Sequence, residues 1–98
     1  PEFQDEEVDP SSGRANATDF QWEAVVSHDS EPEISVMIIN PSDPTIYEFE
    51  MDVDHPSRDE WVADFSKTLN DSTIYTFWFQ ARDGEKVQNS GVRSVEVH

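Results

Sequence analysis

The chain has 98 residues, 22 acidic side chains against 6 basic ones, a formal charge of −16 and no cysteine. That length holds one domain, and its charge excludes partners bound through phosphates, which need Lys and Arg, so no nucleic acid is expected. The missing thiols exclude disulfides, thiolate metal sites and cysteine nucleophiles, and no apolar run approaches the roughly 20 residues of a membrane-spanning helix, so direct membrane insertion by this segment is not expected.

In chain order, residues 1–17 (PEFQDEEVDPSSGRANA) lack hydrophobic period and carry acids, Pro and Gly. They read as a disordered acidic linker, and Pro1-Glu2-Phe3 resembles the scar of a fusion-vector cloning site, which implies an excised domain. From Asp19 the period is two: Phe20, Trp22, Ala24 and Val26 alternate with more polar neighbours, predicting a half-buried strand. The turn cluster His28–Pro32 leads to Glu33–Asn40 (EISVMIIN), which is apolar almost throughout and predicts a strand covered on both faces or nearly so. Asn40–Pro44 closes it. Thr45–Val53 alternates again, with Tyr47, Phe49, Met51 and Val53 on one side, and Asp54–Arg58 reads as a loop.

Trp61, Ala63 and Phe65 predict a fourth strand. Their neighbourhood, Asp59–Leu69, is the one stretch with a competing helical spacing (Trp61, Phe65, Leu69), and the β preference of Trp and Phe favours strand. Asn70-Asp71-Ser72 is a turn. Ile74–Arg82 is the strongest strand, with Tyr75, Phe77, Phe79 and Ala81 on one face and Ile74, Thr76, Trp78 and Gln80 on the other. Asp83-Gly84 signals a hairpin, Val87 starts the return strand, Val92, Val95 and Val97 continue it, and Gly91 marks a bulge or bend. Three Trp, two Tyr and six Phe supply a core without disulfide staples, since each aromatic buries on the order of 150–250 Å². Short strands with turn signals about every 8–12 residues predict an all-β sandwich of about seven antiparallel strands over residues 18–98.

Leu69–Ala81 (LNDSTIYTFWFQA) resembles the late part of an immunoglobulin-like or fibronectin type III-like domain: a Leu, a short polar turn, then a Tyr opening an alternating strand. The resemblance implies that Leu69 packs in the core, that Tyr75 makes a corner hydrogen bond beneath the preceding loop, and that Trp22 is the core tryptophan. The wider order F-x-W, P-x-I-x-V-x-I, Y-x-F-x-M, W-x-A-x-F and Y-x-F-x-F-x-A-x-D-G is similar to Ig-like modules strung along surface proteins of archaea, methanogens especially, and of some bacteria. It covers about Asp19–His98. It implies an extracellular or cell-surface location and a structural or adhesive role, while the chemistry of any site has to be argued from the residues.

Two features are candidate sites. Trp78 faces away from the core face of its strand together with Ile74, Thr76 and Gln80, and half of strand 33–40 must face outward beside it, so the sheet presents a Trp-centred apolar face. Such a face suits a neighbouring module or surface protein, or a glycan stacking on the indole with Gln80 and Asn40 at hand; cover from within the chain is the plain structural alternative. Carboxylates gather at Asp52, Asp54, Asp59 and Glu60, residue types that bind calcium when several converge, with a solvated acidic loop as the alternative. A second acidic grouping joins Asp29, Glu31 and Glu33 to Asp83 and Glu85 if their loops share one end. The acidity itself fits a salt-rich setting, divalent cations or plain solubility.

No catalytic residues are expected. The chain has no G-x-S-x-G elbow and no metal spacing among its histidines; His28 and His55 read as exposed turn residues. Asn16-Ala-Thr18 and Asn70-Asp-Ser72 match the N-glycosylation pattern and lean extracellular. The expectation is a non-enzymatic structural or adhesive module of a larger cell-surface or secreted protein. The alternatives are a carbohydrate-binding module of a secreted hydrolase and the ligand-sensing ectodomain of a membrane receptor.

Overall fold

A computed structural model describes all of Pro1–His98 and is all-β. The first sheet contains β1 (Glu2–Asp9), β3 (Asp19–Ser27), β7 (Glu60–Thr68) and β6 (Asp52–Ser57), in that order. The second runs β2 (Ser12–Gly13), β10 (Arg93–Val97), β8 (Ile74–Asp83), β4 (Glu33–Asn40) and β5 (Asp43–Glu50), with β9 (Lys86–Asn89) also paired to β8. Pairing is antiparallel except between β2 and β10. The shortest dimension is 17 Å, the thickness of two sheets about 10 Å apart plus outer side chains, an arrangement compatible with a β-sandwich.

The period-two faces pack as their sequence requires. Phe20, Trp22, Ala24 and Val26 of β3 and Ala63 of β7 are fully buried, and Trp61 is nearly so. They face Ile34 and Val36 of β4 and Phe77, Phe79 and Ala81 of β8 in one continuous core. Trp22 lies at its centre. Its ring sits 6.1 Å from Phe20, 6.0 Å from Phe65 and 6.2 Å from Phe77, the last contact edge-to-face across the two sheets. Its indole Nε1–H meets no acceptor, an exception to the usual pairing of buried tryptophans. The strand reading of Glu60–Thr68 prevails over the helical spacing because Trp61, Ala63 and Phe65 pair in register with Val26, Ala24 and Trp22.

The expected linker is corrected. Residues 2–9 form an edge strand along β3, and 12–13 pair with β10. A bulge at Gln4 shifts the register between Phe3 and Asp5. The half-buried positions are therefore Phe3, Glu6 and Val8, a spacing that breaks period two and hides the strand in the sequence. Phe3 lies 6.4 Å from Phe79, and Glu6 reaches Arg93 of the other sheet at 3.2 Å. The chain leaves the first sheet at the cis peptide Asp9–Pro10 and joins the second through Gly13. A Cβ at Gly13 would stand 2.6 Å from the Thr18 side chain, so only glycine fits.

Ten pieces stand where about seven strands were expected, for four local reasons. The lead-in contributes β1 and β2. The alternating run 45–53 is divided at Met51, where the chain passes from the edge of the second sheet to the edge of the first while the Met51 N–H donates to Ile34 O at 2.9 Å. The expected loop 54–58 is largely strand β6. The last strand breaks around Gly91, and the register against β8 slips by one residue between Gln80↔Asn89 and Phe77↔Arg93. The hairpin signal at Asp83-Gly84 holds: Asp83 pairs with Lys86, leaving Gly84 first in a two-residue loop with φ of +58°, where glycine is unstrained.

Leu69 and Tyr75 are buried. The Tyr75 hydroxyl accepts from the Asp71 backbone N–H at 3.1 Å and pins the turn before β8. Tyr75→Phe keeps the ring and removes this acceptor, so it is expected to lower unfolding free energy by about 0.5–1.5 kcal/mol in chemical denaturation, with an unchanged m-value.

Candidate functional site

The outer face of the second sheet carries the Trp78 group. Along β8, Ile74 is 56% exposed while Thr76, Trp78 and Gln80 are half-buried. The register sets Met37 beside Trp78, Ile39 beside Thr76 and Ser35 beside Gln80. This decides which half of β4 faces outward: Ser35, Met37 and Ile39, with Ile34, Val36 and Ile38 in the core. Met37 is only 5% exposed although no third layer covers this face. Trp78 on one side and Glu48 on the other flank it in the ladder. Trp78 is therefore a cover for Met37 as well as a surface residue, and more of it is buried than an exposed indole would be. Ile74 on β8 and Ile46 on β5 are exposed, as is Val92 just before β10. Gln80 is already engaged, donating to Asn89 Oδ1 at 3.0 Å and accepting from Arg82 at 2.9 Å. Asn40 lies away from Trp78 at the end of β4, where its amide donates to the Asp71 carboxylate. The pairing of Gln80 and Asn40 around the indole is thus not formed.

The outer face of the first sheet is its opposite in character. Glu7, Glu23, Asp64 and Asp52 stand in one cross-strand row over four strands. Asp5, Val25, Val62 and Asp54 make the adjacent row, and Asp9 is opposite Gln21 on the far side. No Lys or Arg occupies these rows. Like charges directly opposite one another destabilise a sheet.

The calcium candidates do not assemble into one site. Asp52 and Asp54 lie on β6, Asp59 in the β6–β7 turn and Glu60 at the start of β7, where it pairs with Ser57. No group of three or more His, Cys, Asp or Glu side chains converges to hold a metal ion. A strand spreads its carboxylates along one face, and the ladder places Asp52 against Asp64 instead of against Asp59.

At the end of the molecule near this turn, the loops after β3 and β8 do meet, through different groups. The His28 imidazole donates from Nε2 to Asp83 Oδ2 at 2.7 Å, and the Ser30 hydroxyl donates to the same oxygen at 3.0 Å. The His28 side chain is 10% exposed, so the reading of an exposed turn histidine is corrected. Its backbone O accepts from Trp61 Nε1 at 3.1 Å, and its N–H donates to Asp59 O at 2.9 Å. His55 stacks on Trp61 with ring centroids 3.8 Å apart. Ser30 points to the carboxylate and not to the imidazole, so the Ser–His hydrogen bond that activates a serine nucleophile is missing. The His28 and Ser30 hydrogen bonds hold the Asp83 carboxyl below its ordinary value of 3.8.

Compared with known proteins, the chain matches no family model and no curated sequence. Sequence reading found the Trp78 strand and its face. It missed Met37 as the buried centre of that face and Asp83 as a loop clamp, because both depend on which strands become neighbours.

Two outcomes are expected. Asp64→Asn relieves a row of opposed carboxylates and should raise stability by about 0.2–1 kcal/mol at low salt; thermal melts in about 1 M NaCl, where screening acts within about 3 Å, should show that gain largely gone. Because the folded-state pKa of Asp83 lies below its unfolded value, its stabilisation is present above the ordinary carboxylate range and is lost as pH falls through the lowered value. Melts of the parent and Asp83→Asn proteins should therefore differ near neutral pH and converge in strong acid.

Proposed function

We propose that this chain is a non-enzymatic, Ig-like structural or adhesive module of a larger cell-surface or secreted protein, and that it docks a neighbouring module or partner protein on the outer face of its second sheet. The observation that carries the reading is the uncovered face around Met37 and Trp78, with Ile39 beside them and Ile74 and Ile46 exposed at its margins. A half-buried aromatic over a buried aliphatic, rimmed by polar groups, is the composition of a contact surface. The rim carries Glu48 and Glu50 on β5 and Glu96 opposite Ile74, with Glu33 paired opposite Arg82 at one end; its acidic majority favours a partner with basic groups around an apolar centre.

Three features support the Ig-like reading. The strand order β1-β3-β7-β6 against β10-β8-β4 corresponds to the A-B-E-D and G-F-C sheets of immunoglobulin-like domains, with β5 added at the edge. Tyr75 near the start of the sixth such strand bonds back to the backbone four residues earlier, as a tyrosine corner does. Trp22 fills the centre of the core from the second, B-equivalent strand, the place that the fibronectin type III-like resemblance implies, and not from strand C, where immunoglobulin domains carry their core tryptophan. The acidic outer face of the first sheet suits the opposite task. It repels acidic polymers and other copies of the same face, so association is directed to the second sheet.

A photo-crosslinking amino acid placed at position 74 of the parent surface protein tests this reading, with position 66 on the acidic face as control. Crosslinks to a neighbouring module or partner from position 74, and not from 66, are expected. Ile74→Lys should abolish association while changing domain stability by no more than about 0.5 kcal/mol, as for an ordinary surface site. Equal crosslinking from both positions, or none from 74, overturns the docking face.

A further inference from the structure

At the end of the molecule remote from His28 and Asp83, a cleft of about 310 Å³ opens between the two sheets. Its floor is apolar: Ile38, Leu69 and Tyr75, each at most 6% exposed. Its walls are polar and come from both sheets. On β5 stand Asp43, Tyr47 and Phe49; facing them are Lys67 at the end of β7 and Asn70 and Asp71 in the following turn. The volume is at the small end of the range for ligand sites. The other concavity of the surface, at the β6–β7 turn, has no hydrophobic lining at all.

The walls are held in place before any ligand arrives. Asp43 accepts the Tyr47 hydroxyl at 2.8 Å and the Thr45 N–H at 3.1 Å, which lowers its pKa and raises that of Tyr47. Asn40 donates to Asp71 and accepts from the Ser42 N–H at 2.9 Å. Asp71 is itself fixed by the Tyr75 hydroxyl. Lys67 lies 5.3 Å from the Phe49 ring centroid and takes part in no salt bridge, so its donors remain free. Tyr47 is 47% exposed and offers ring surface at the mouth.

Charge narrows the ligand class. The two wall carboxylates already accept donors, Asp43 from Tyr47 and Thr45 and Asp71 from Asn40, and the Lys67 ammonium stands beside them, so a cation finds no open pair of carboxylates. Asp43, Asp71 and a net charge of −16 disfavour an anion. What remains is a neutral group with mixed demands: donors and acceptors on both walls, an apolar floor and an aromatic ring. Hydroxyl groups both donate and accept, and the C–H face of a pyranose packs on aromatic and aliphatic carbon. We infer that this cleft is a binding site for one neutral sugar residue, either a free saccharide or the end of a glycan. The site is separate from the Trp78 face, and neither claim depends on the other.

The test is a ¹⁵N-resolved NMR titration of the 98-residue chain. The probes are the methyl glycosides of glucose, galactose, mannose and N-acetylglucosamine, plus cellobiose and diacetylchitobiose, with N-acetyl-lysine methylamide as a cationic comparison. At least one saccharide is expected to give saturable shifts confined to residues 40–49 and 67–75, with a dissociation constant in the millimolar range. Tyr47→Ala and Asn70→Ala, both at exposed positions, are each expected to weaken binding about tenfold. Unchanged affinity in both variants overturns the site. So do saturation by the lysine probe in place of any sugar, the absence of saturation by every sugar, and shifts that map instead to Thr76, Trp78 and Gln80.

Discussion

Trp22 is the point through which the two sheets are joined. It is fully buried, it touches Phe20 and Phe65 within its own sheet, and it meets Phe77 edge-on from the other. A buried aromatic of this kind is worth about 3–5 kcal/mol against alanine, a large share of the 5–15 kcal/mol that a domain of this size has in total. With no cysteine to staple the sheets, the aromatic contacts across the core have to do the work that a disulfide does in many domains of similar build.

Around that core the two outer faces divide the surface by chemistry. One is a field of carboxylates aligned across four strands, and the other is a mixed face with Met37 and Trp78 at its centre and Ser35, Thr76, Gln80 and Glu48 around them. The carboxylate rows raise the energy of the folded state, and the aromatic core offsets it. Like charge makes the carboxylate face repel other acidic surfaces. Edge strands follow the same logic. β1 carries five acids and β5 carries Asp43, Pro44, Glu48 and Glu50, all of which discourage strand addition at an open edge.

The two ends also differ. One is closed by a clamp in which His28, Ser30 and Asp83 tie two loops together while Trp61 and His55 cap them. The other opens into the cleft between Tyr47 and Asn70. β5 and β6 are one run of chain that changes sheets at Met51, where its N–H bonds to Ile34 O, and β5 begins at the end that holds the cleft.

Read alone, the sequence determined the class of fold, the inward faces of β3, β7 and β8, the hairpin at Gly84, and the burial of Trp22, Leu69 and Tyr75. The burial of Leu69 was implied by the resemblance to Ig-like domains; the others follow from local physics, since side chains alternate across a strand, and glycine or a β-preferring residue acts within a few positions of itself. Tertiary structure alone decided the rest. The strand β1 stays hidden because a bulge at Gln4 breaks the alternation by which a strand is recognised. The outward half of β4, the carboxylate row Glu7–Glu23–Asp64–Asp52, the clamp from His28 to Asp83 and the cleft walls at Asn40 and Asp71 join residues up to 57 positions apart, from 7 to 64. Such groupings depend on strand order and register, which are set by how the whole core packs, and no local pattern encodes them.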